Sequence, residues 1–140
     1  MPYNVLIVDD SRSMRNVIKK VISHSGFQMG DCREASNGKE ALEVLENHWI
    51  DLILSDIHMP VMDGFDLLRV LQTRENLRDL PVVLITTESN QDRLHEAMEL
   101  GAKGYIRKPF RPEEICKLLR QIMGETDEFQ LAASDEDSDF

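Results

Sequence analysis

The chain has 140 residues, enough for one folded domain, and its 41% hydrophobic and 30% charged residues are typical of a soluble globular protein. It has no run of about 18 apolar residues and does not begin with a basic segment followed by an apolar one, which predicts a cytoplasmic protein without a membrane span or signal peptide. The formal net charge of −10, without a basic stripe, argues against nucleic-acid binding.

The negative charge is concentrated in residues 125–140 (ETDEFQLAASDEDSDF), which hold seven acids and no base, whereas the rest of the chain has 19 acids against 16 bases. We therefore predict a folded domain over residues 1–124 and an acidic, disordered tail over residues 125–140. Phe129 and Leu131 leave open the alternative that this tail is a docking peptide.

The predicted elements alternate between short apolar strands and amphipathic helices. In chain order we expect a strand at residues 5–8 (VLIV), a helix at 11–24, a weaker strand near 29–35, a helix at 38–47, a strand at 52–55 (LILS), a helix at 64–73, a strand at 82–86 (VVLIT), a helix at 91–100, a weaker strand at 103–107 and a helix at 113–123.

Local signals support several of the predicted helix ends. Capping-box spacing at Asn37 with Glu40, and at Ser89 with Asp92, predicts two helix starts. The last helix is expected to open at Pro112 and to close at Gly124.

Cys32 and Cys116 are far apart and belong to no CxxC pattern. This spacing favours buried thiols over a disulfide or a zinc site.

A strand followed by a helix, repeated five times, predicts an α/β fold with a doubly wound parallel sheet, helices on both faces and right-handed crossovers. The flavodoxin-like strand order 2-1-3-4-5 is the arrangement we expect. In such a sheet, ligands bind at the carboxyl ends of the strands, so the residues that follow each strand are the candidate site.

Polar residues follow four of the predicted strands. Asp9 and Asp10 come after the first strand, Asp56 after the third, Thr86 at the end of the fourth and Lys108 after the fifth. If the first and third strands are neighbours, the three carboxylates lie close together and repel one another. This repulsion is reduced either when the pKa of one carboxyl group is raised or when a hard cation such as Mg²⁺ binds. A metal, a lysine and a hydroxyl around one aspartate suit phosphoryl transfer, with Asp56 as the nucleophile.

Each of these residues also has a simpler explanation. Asp9 or Asp10 could cap the following helix, Thr86 could be an ordinary strand residue, and Lys108 a surface lysine. Asp63 and Gly64 are better explained as a turn and a helix start than as part of the chemistry. The coincidence at four separate strand ends is what favours a site.

The motifs VLIVDDS (5–11), LILSDIHMPVMDG (52–64), PVVLITT (81–87) and GYIRKPF (104–110) together resemble the receiver domains of two-component response regulators, especially the stand-alone chemotaxis type. Their order and spacing match over residues 4–124. The resemblance implies a signalling protein that is not an enzyme beyond its own phosphorylation and dephosphorylation.

Several residue roles follow from the resemblance alone. Asp56 is the expected acceptor of a phosphoryl group from a phosphohistidine of a histidine kinase. Asp9, Asp10, Asp56 and the backbone carbonyl of His58 are the expected ligands of Mg²⁺, for which Mn²⁺ is an acceptable substitute.

The resemblance also implies the parts of a switch. Lys108 would contact the phosphoryl oxygens, Thr86 would move toward them, and Tyr105 would change rotamer in response. Pro109 is expected to follow a cis peptide bond. The fifth strand and the two helices that flank it, over residues 89–123, would then form a face that is recognised by an unknown downstream protein.

Three residues near Asp56 are candidates for tuning the lifetime of the phosphoryl group. His58 occupies a position that is often Asn in chemotaxis-type receivers, and with Glu88 it could meet the phosphoryl group or the attacking water. A solvent-facing loop histidine is the alternative explanation. Thr87 stands where a small residue is common, so its branched side chain could crowd the approach of a phosphodonor.

Other functional classes fit the sequence less well. A dehalogenase-type phosphatase would need a second aspartate where His58 stands, and a flavodoxin phosphate loop would not carry Asp9 and Asp10. An inactive pseudo-receiver and the receiver piece of a longer regulator remain alternatives.

We expect no nucleic-acid or membrane partner, and either a monomer or a phosphorylation-dependent dimer. Chemotaxis is one candidate pathway.

Overall fold

The structure, a computed structural model, describes residues 2–124. The predictions made for the tail, residues 125–140, therefore lie outside the described residues. The strands are β1 (Tyr3–Val8), β2 (Met29–Ala35), β3 (Leu52–Ser55), β4 (Val82–Thr86) and β5 (Gly104–Arg107), and the helices are α1 (Arg12–Ser23), α2 (Gly38–Asn47), α3 (Gly64–Thr73), α4 (Gln91–Glu99) and α5 (Pro112–Met123).

The five strands form one parallel sheet in the order β2-β1-β3-β4-β5. This confirms the predicted doubly wound fold and its strand order. Because consecutive strands are parallel, every connection must cross back along the sheet, and each crossover contains one of the helices.

The core lies in two layers, one on each face of the sheet. Side chains alternate along a strand, so Leu6 and Val8 belong to one layer and Val5 and Ile7 to the other. The first layer also contains buried residues of α2, α3 and α4, and the second contains those of α1 and α5. A strand covered on both faces explains why the central strands are continuous apolar runs.

Three predicted helix ends are confirmed by the backbone. The Asn37 side chain accepts a hydrogen bond from the Glu40 backbone N–H at the start of α2. Pro112 stands in the first turn of α5, and Gly124 ends this helix in the left-handed conformation, at φ 61°.

One expectation about a helix start is corrected, and one alternative that the sequence left open is excluded. The cap of α4 is Asn90, whose side chain accepts from the backbone N–H groups of Asp92 and Arg93, rather than Ser89. The cap of α1 is Ser11 rather than an aspartate, since the Ser11 hydroxyl accepts from the Met14 backbone N–H. Both aspartates that precede α1 are therefore available for another role.

Cys32 and Cys116 are free thiols of intermediate burial, and burial raises the pKa of both. They are less enclosed than the sequence predicts.

Within residues 2–124, no helix has the length and apolar content that a bilayer crossing demands.

Candidate functional site

The register of the sheet brings three carboxylates together at the carboxyl ends of β1 and β3. Val8 pairs with Ser55, and the Asp56 backbone N–H donates to the Val8 carbonyl at 2.8 Å, so Asp9 and Asp56 leave adjacent strands at the same level. Asp9, Asp10 and Asp56 each offer an oxygen, and these oxygens lie within 4.8 Å of one another. Asp9 is 1% exposed and Asp56 is 8% exposed, whereas Asp10 is open to solvent.

Lys108 closes the cluster from β5. Its Nζ donates to Asp9 Oδ2 at 2.8 Å and to Asp56 Oδ2 at 3.0 Å. Burial by itself lowers the pKa of this ammonium, but hydrogen bonds and charge attraction from the two aspartates outweigh burial and hold the pKa above its usual value. Lys108 is thus a charged partner of the site rather than a surface lysine, and the peptide bond to Pro109 is cis, as predicted.

Asp56 is further held by its own loop. Its Oδ1 accepts from the Ile57 backbone N–H at 2.6 Å and, more weakly, from that of His58 at 3.4 Å. Gly64 lies against this backbone, since a Cβ added at Gly64 would stand 2.6 Å from the Asp56 carbonyl oxygen. Any larger residue at this position would push the loop away from the strand end.

The loop between β3 and α3 contains a feature that sequence reasoning missed. Val61 has φ 69°, a left-handed conformation that is rare for a β-branched residue, and the Met62 backbone N–H donates to the Pro60 carbonyl at 2.7 Å. The Met62 carbonyl then accepts from Gly38 at the start of α2 at 2.9 Å. Gly64 was expected to belong to the turn before α3, but no residue pattern indicated that Val61 takes the strained position.

The Asp63 side chain accepts from the Asp66 backbone N–H at 2.9 Å. It is therefore the cap of α3, in agreement with the interpretation of this residue as a turn and helix start.

On the side of β4, Thr86 is fully buried and Thr87 is exposed. The Thr86 hydroxyl oxygen accepts from the Glu88 backbone N–H at 3.2 Å. The Glu88 carboxylate in turn accepts from the backbone N–H groups of Ser89 and Asn90, and the hydrogen bond from Asn90 is the leading reason why the pKa of Glu88 lies below its usual value.

His58 lies opposite this loop. Its Nε2 is 3.1 Å from Glu88 Oε1, although its side chain is 55% exposed. His58 and Glu88 are therefore in contact, and they link the loop after β3 to the loop after β4. Their predicted effect on the lifetime of the phosphoryl group stays a prediction. Thr87 makes no hydrogen bond through its side chain among those found for the described residues.

Tyr105 is located on β5, where it pairs in register with Leu84 of β4, and its side chain is 37% exposed. Its position on an exposed edge strand agrees with a surface role. The structure does not bring its side chain into hydrogen-bonding contact with Thr86 among the described residues.

Arg15 is a supporting residue that the sequence did not reveal. Its Nη1 donates to the Asp9 backbone carbonyl, at 2.6 Å, and its Nε donates to Glu34 Oε1 at 2.8 Å. The contact fixes the backbone at the end of β1. In the sequence, Arg15 is one of several polar residues of α1. Its contacts depend on how α1 packs beside β2, which the sequence pattern does not indicate.

The donor set fits a divalent cation. Lys108 offsets one of three carboxylate charges, so two negative charges remain uncompensated in a largely buried cluster. Carboxylate oxygens with one side open to solvent, here at Asp10, are the ligands that Mg²⁺ uses while keeping some of its waters. The His58 carbonyl as a fourth ligand remains a prediction.

Residues 5–120 match the family described as the response regulator receiver domain. The chemotaxis protein CheY of Pseudomonas aeruginosa is 38% identical over 124 residues, a match that covers 86% of this chain and 98% of CheY. CheY-3 of Vibrio cholerae is 37% identical over 118 residues, covering 84% of this chain and 89% of that protein.

Solved structures agree with this match. CheY4 of Vibrio cholerae superposes with a TM-score of 0.77 at 32% identity, over 87% of this chain and 99% of that one. The receiver domain of a sensor histidine kinase from Pseudomonas aeruginosa, described with a magnesium ion coordinated in its active-site cleft, gives a TM-score of 0.77 at 26% identity, over 89% and 100% of the two chains.

Proposed function

The chain belongs to the response regulator receiver domain family, and we propose that it is a phospho-acceptor switch in two-component signalling that receives a phosphoryl group on Asp56 from a histidine kinase. The observation that carries the proposal is the convergence of Asp9, Asp10, Asp56 and Lys108 at one edge of the sheet. The kinase is the expected partner, and the protein is proposed to act in the cytoplasm.

The transfer requires an in-line attack by a carboxylate oxygen of Asp56 on the phosphorus. A new O–P bond forms while the P–N bond of the donor phosphohistidine breaks, and the electron pair of that bond leaves on the imidazole nitrogen. Lys108, already 3.0 Å from Asp56, supplies positive charge where the phosphoryl oxygens arrive. The backbone N–H of Ile57 holds the Asp56 carboxylate in a fixed orientation during the attack.

Asp9, Asp10 and Asp56 would hold Mg²⁺, and His58 would add its backbone carbonyl. The metal, when bound, neutralises the negative charge that builds up on the phosphoryl oxygens. Asp9 is oriented for this role by the Ser11 backbone N–H, which donates to its Oδ1 at 2.9 Å. Mn²⁺, which also prefers oxygen ligands, is proposed as a substitute.

The output is proposed to be a change of the surface formed by α4, β5 and α5. Thr86 is buried beside the site, and its hydroxyl is engaged by the Glu88 backbone N–H. If this hydroxyl turns toward the phosphoryl oxygens, it releases that bond and frees the loop before α4. Tyr105, half exposed on β5, would report the movement to a downstream protein, and chemotaxis is the pathway that the relatives favour.

The test is the intact mass of the protein after incubation with Mg²⁺ and acetyl phosphate. Wild type should gain one phosphoryl group, and Asp56→Asn should gain none. Ser55→Ala is the matched control, because this hydroxyl bonds the adjacent backbone carbonyl and does not enter the cluster. A phosphoryl adduct that persists in Asp56→Asn would overturn the assignment of the acceptor.

Two alternatives predict different results. A pseudo-receiver that only binds proteins would take up no phosphoryl group in the wild type under any donor. The receiver part of a longer regulator would take up the phosphoryl group in the same way and pass the change to a further domain, whereas the chemotaxis relatives are matched over 98% of their own length. Whether the active form is a monomer or a phosphorylation-dependent dimer follows from its mass in solution before and after treatment with beryllofluoride.

A further inference from the structure

The exposed side of α1 combines positive charge with an apolar stripe. The helix carries four bases, Arg12, Arg15, Lys19 and Lys20, and no acid. Of these, only Arg15 forms an ion pair among residues 2–124. The helix α1 is therefore positively charged, although the net charge of the whole chain is −10.

The apolar part of this surface lies beside Lys20. Val17 is 45% exposed, and Met14 and Val21 are only partly buried, at positions one and two helical turns apart along one side of α1. We define the α1 face as Met14, Val17, Lys20 and Val21. Val17 is a β-branched residue left nearly half exposed, with the cation Lys20 one turn further along the helix. An exposed apolar stripe with a cation at its edge suits a covering segment that is both apolar and acidic.

Residues 125–140 have the complementary pattern. Their first seven residues, ETDEFQL, place three acids immediately before Phe129 and Leu131. The family match ends at residue 120. The match to the Pseudomonas aeruginosa relative covers 98% of that protein but only 86% of this chain. The acidic segment therefore lies outside the part that the family shares.

The segment starts within reach of the α1 face. The helices α1 and α5 pack on the same side of the sheet and contact each other, and both run away from the carboxyl ends of the strands, so Gly124 lies at the same end of the molecule as Ser23. Val17 is six residues before Ser23, about 9 Å along the helix, and packed helices are about 8–10 Å apart. Five extended residues from Gly124 to Phe129 span about 17 Å.

We propose that residues 125–140 bind back onto the α1 face of the same molecule, with Phe129 and Leu131 against Met14, Val17 and Val21 and the flanking acids beside Lys20. The occupant of this surface is a segment of the chain itself. It excludes other acidic or apolar partners from α1 until they displace it, and the contact weakens as salt screens the charges.

The contact is measurable on the full chain by carbodiimide coupling, which joins a lysine ammonium and a neighbouring carboxylate without a spacer. Peptide mapping of the monomer-mass product should give links from residues 125–140 to Lys20 in large excess over links to Lys39. Lys39 is an equally exposed lysine on α2, on the opposite face of the sheet, and therefore reports random encounters.

Two variants that leave every lysine and acid in place sharpen the test. Phe129→Ser combined with Leu131→Ser, and separately Val17→Ser, should lower the yield of links to Lys20 roughly fivefold, the effect of losing about 1 kcal/mol of contact. Trp49→Ser is the matched control, because Trp49 is 78% exposed and lies outside the α1 face. About 1 M NaCl, where the Debye length is about 3 Å, should reduce the yield in the wild type.

The proposal is wrong if Lys39 couples as efficiently as Lys20, or if Val17→Ser and Trp49→Ser have the same effect. Links found only in dimer-mass product would also overturn it, since the occupant would then be a second copy. None of these outcomes depends on phosphorylation of Asp56, so the result is independent of the proposed function.

Discussion

The His58 and Glu88 side chains link the loop after β3 to the loop after β4, with 3.1 Å between Nε2 and Oε1. We predict that His58→Ala speeds the decay of the acyl phosphate, because water reaches the phosphoryl group more easily and the loop after β4 loses a tether. The expected change is roughly threefold, equivalent to about 0.7 kcal/mol of activation free energy. Loss of the phosphoryl adduct over time, followed by intact mass, measures it.

His95→Ala is the control for this prediction, because His95 makes a comparable exposed pair with Glu99 at 3.2 Å on α4. An unchanged decay rate in His58→Ala would remove His58 from the list of tuning residues. The side chain would then be a solvent-facing loop histidine.

Thr87 is exposed beside the buried Thr86, one residue beyond the end of β4. We predict that Thr87→Ala raises the rate of phosphorylation by acetyl phosphate by about threefold, since removing the branched side chain relieves crowding worth about 0.7 kcal/mol. Thr87→Ser separates shape from polarity, because it keeps the hydroxyl and removes the methyl group. If Thr87→Ser and Thr87→Ala both react at the wild-type rate, crowding by Thr87 is not a factor.

At the scale of the elements, the start of α2 is stabilised by reciprocal side-chain bonds. Asn37 accepts from the Glu40 backbone N–H, and Glu40 Oε1 accepts from the Ser36 backbone N–H at 3.0 Å. This bond from Ser36 is the main reason why the pKa of Glu40 is lowered. A carboxylate with a lowered pKa in the folded state stabilises that state above its unfolded pKa, about 4.3, and the benefit is lost as the pH falls through the folded value.

We therefore predict that Glu40→Ala lowers the free energy of unfolding by about 0.5–1 kcal/mol at pH 7, the range for a lost capping interaction. The difference from wild type should shrink as the pH falls below about 4.3. Urea unfolding across this pH range measures both. Glu43→Ala, in the same helix beyond its first turn, should show a smaller loss at pH 7, and an equal loss would contradict the capping explanation.

The same elements show what could be inferred from the residues alone. Strands such as 52–55 and 82–86 were predicted because burial on both faces leaves a continuous apolar run, and this signal is local. The cap of α4 was misplaced by one residue, since Ser89 and Asn90 are both good caps and the choice depends on the hydrogen bonds that Glu88 makes. The strained Val61 depends on loop closure against Gly38, which has no local pattern.

For the whole molecule, the strand order explains why the site could be inferred and where the inference stopped. Adjacent β1 and β3 make the meeting of Asp9 and Asp56 a consequence of topology. Which member of the acidic pair is buried does not follow from topology, and it is Asp9 that contacts Lys108 while Asp10 faces solvent. The site thus has a buried part, in which Lys108 pairs with Asp9, and a solvent-exposed part at Asp10.

The carboxylates of Asp9, Asp10 and Asp56 repel one another in the folded state, and a bound cation would reduce this repulsion. Because the three carboxylates face one ammonium, we predict that Mg²⁺ raises the free energy of unfolding, by about 2.7 kcal/mol at a concentration 100 times the dissociation constant. Asp10→Asn should unfold at higher urea than wild type in EDTA, since it removes the one carboxylate of the cluster that Lys108 does not contact. It should also gain less from Mg²⁺, because a ligand charge is lost.

Urea unfolding in EDTA and in MgCl₂ tests both parts of this prediction, with Glu75→Gln as the control for removal of an exposed acid outside the cluster. An Asp10→Asn protein that keeps the full stabilisation by Mg²⁺ would show that Asp10 is not part of the cation site. One that is no more stable than Glu75→Gln in EDTA would show that solvent on the open side already screens the repulsion, so that the driving force for metal binding comes from the buried pair alone.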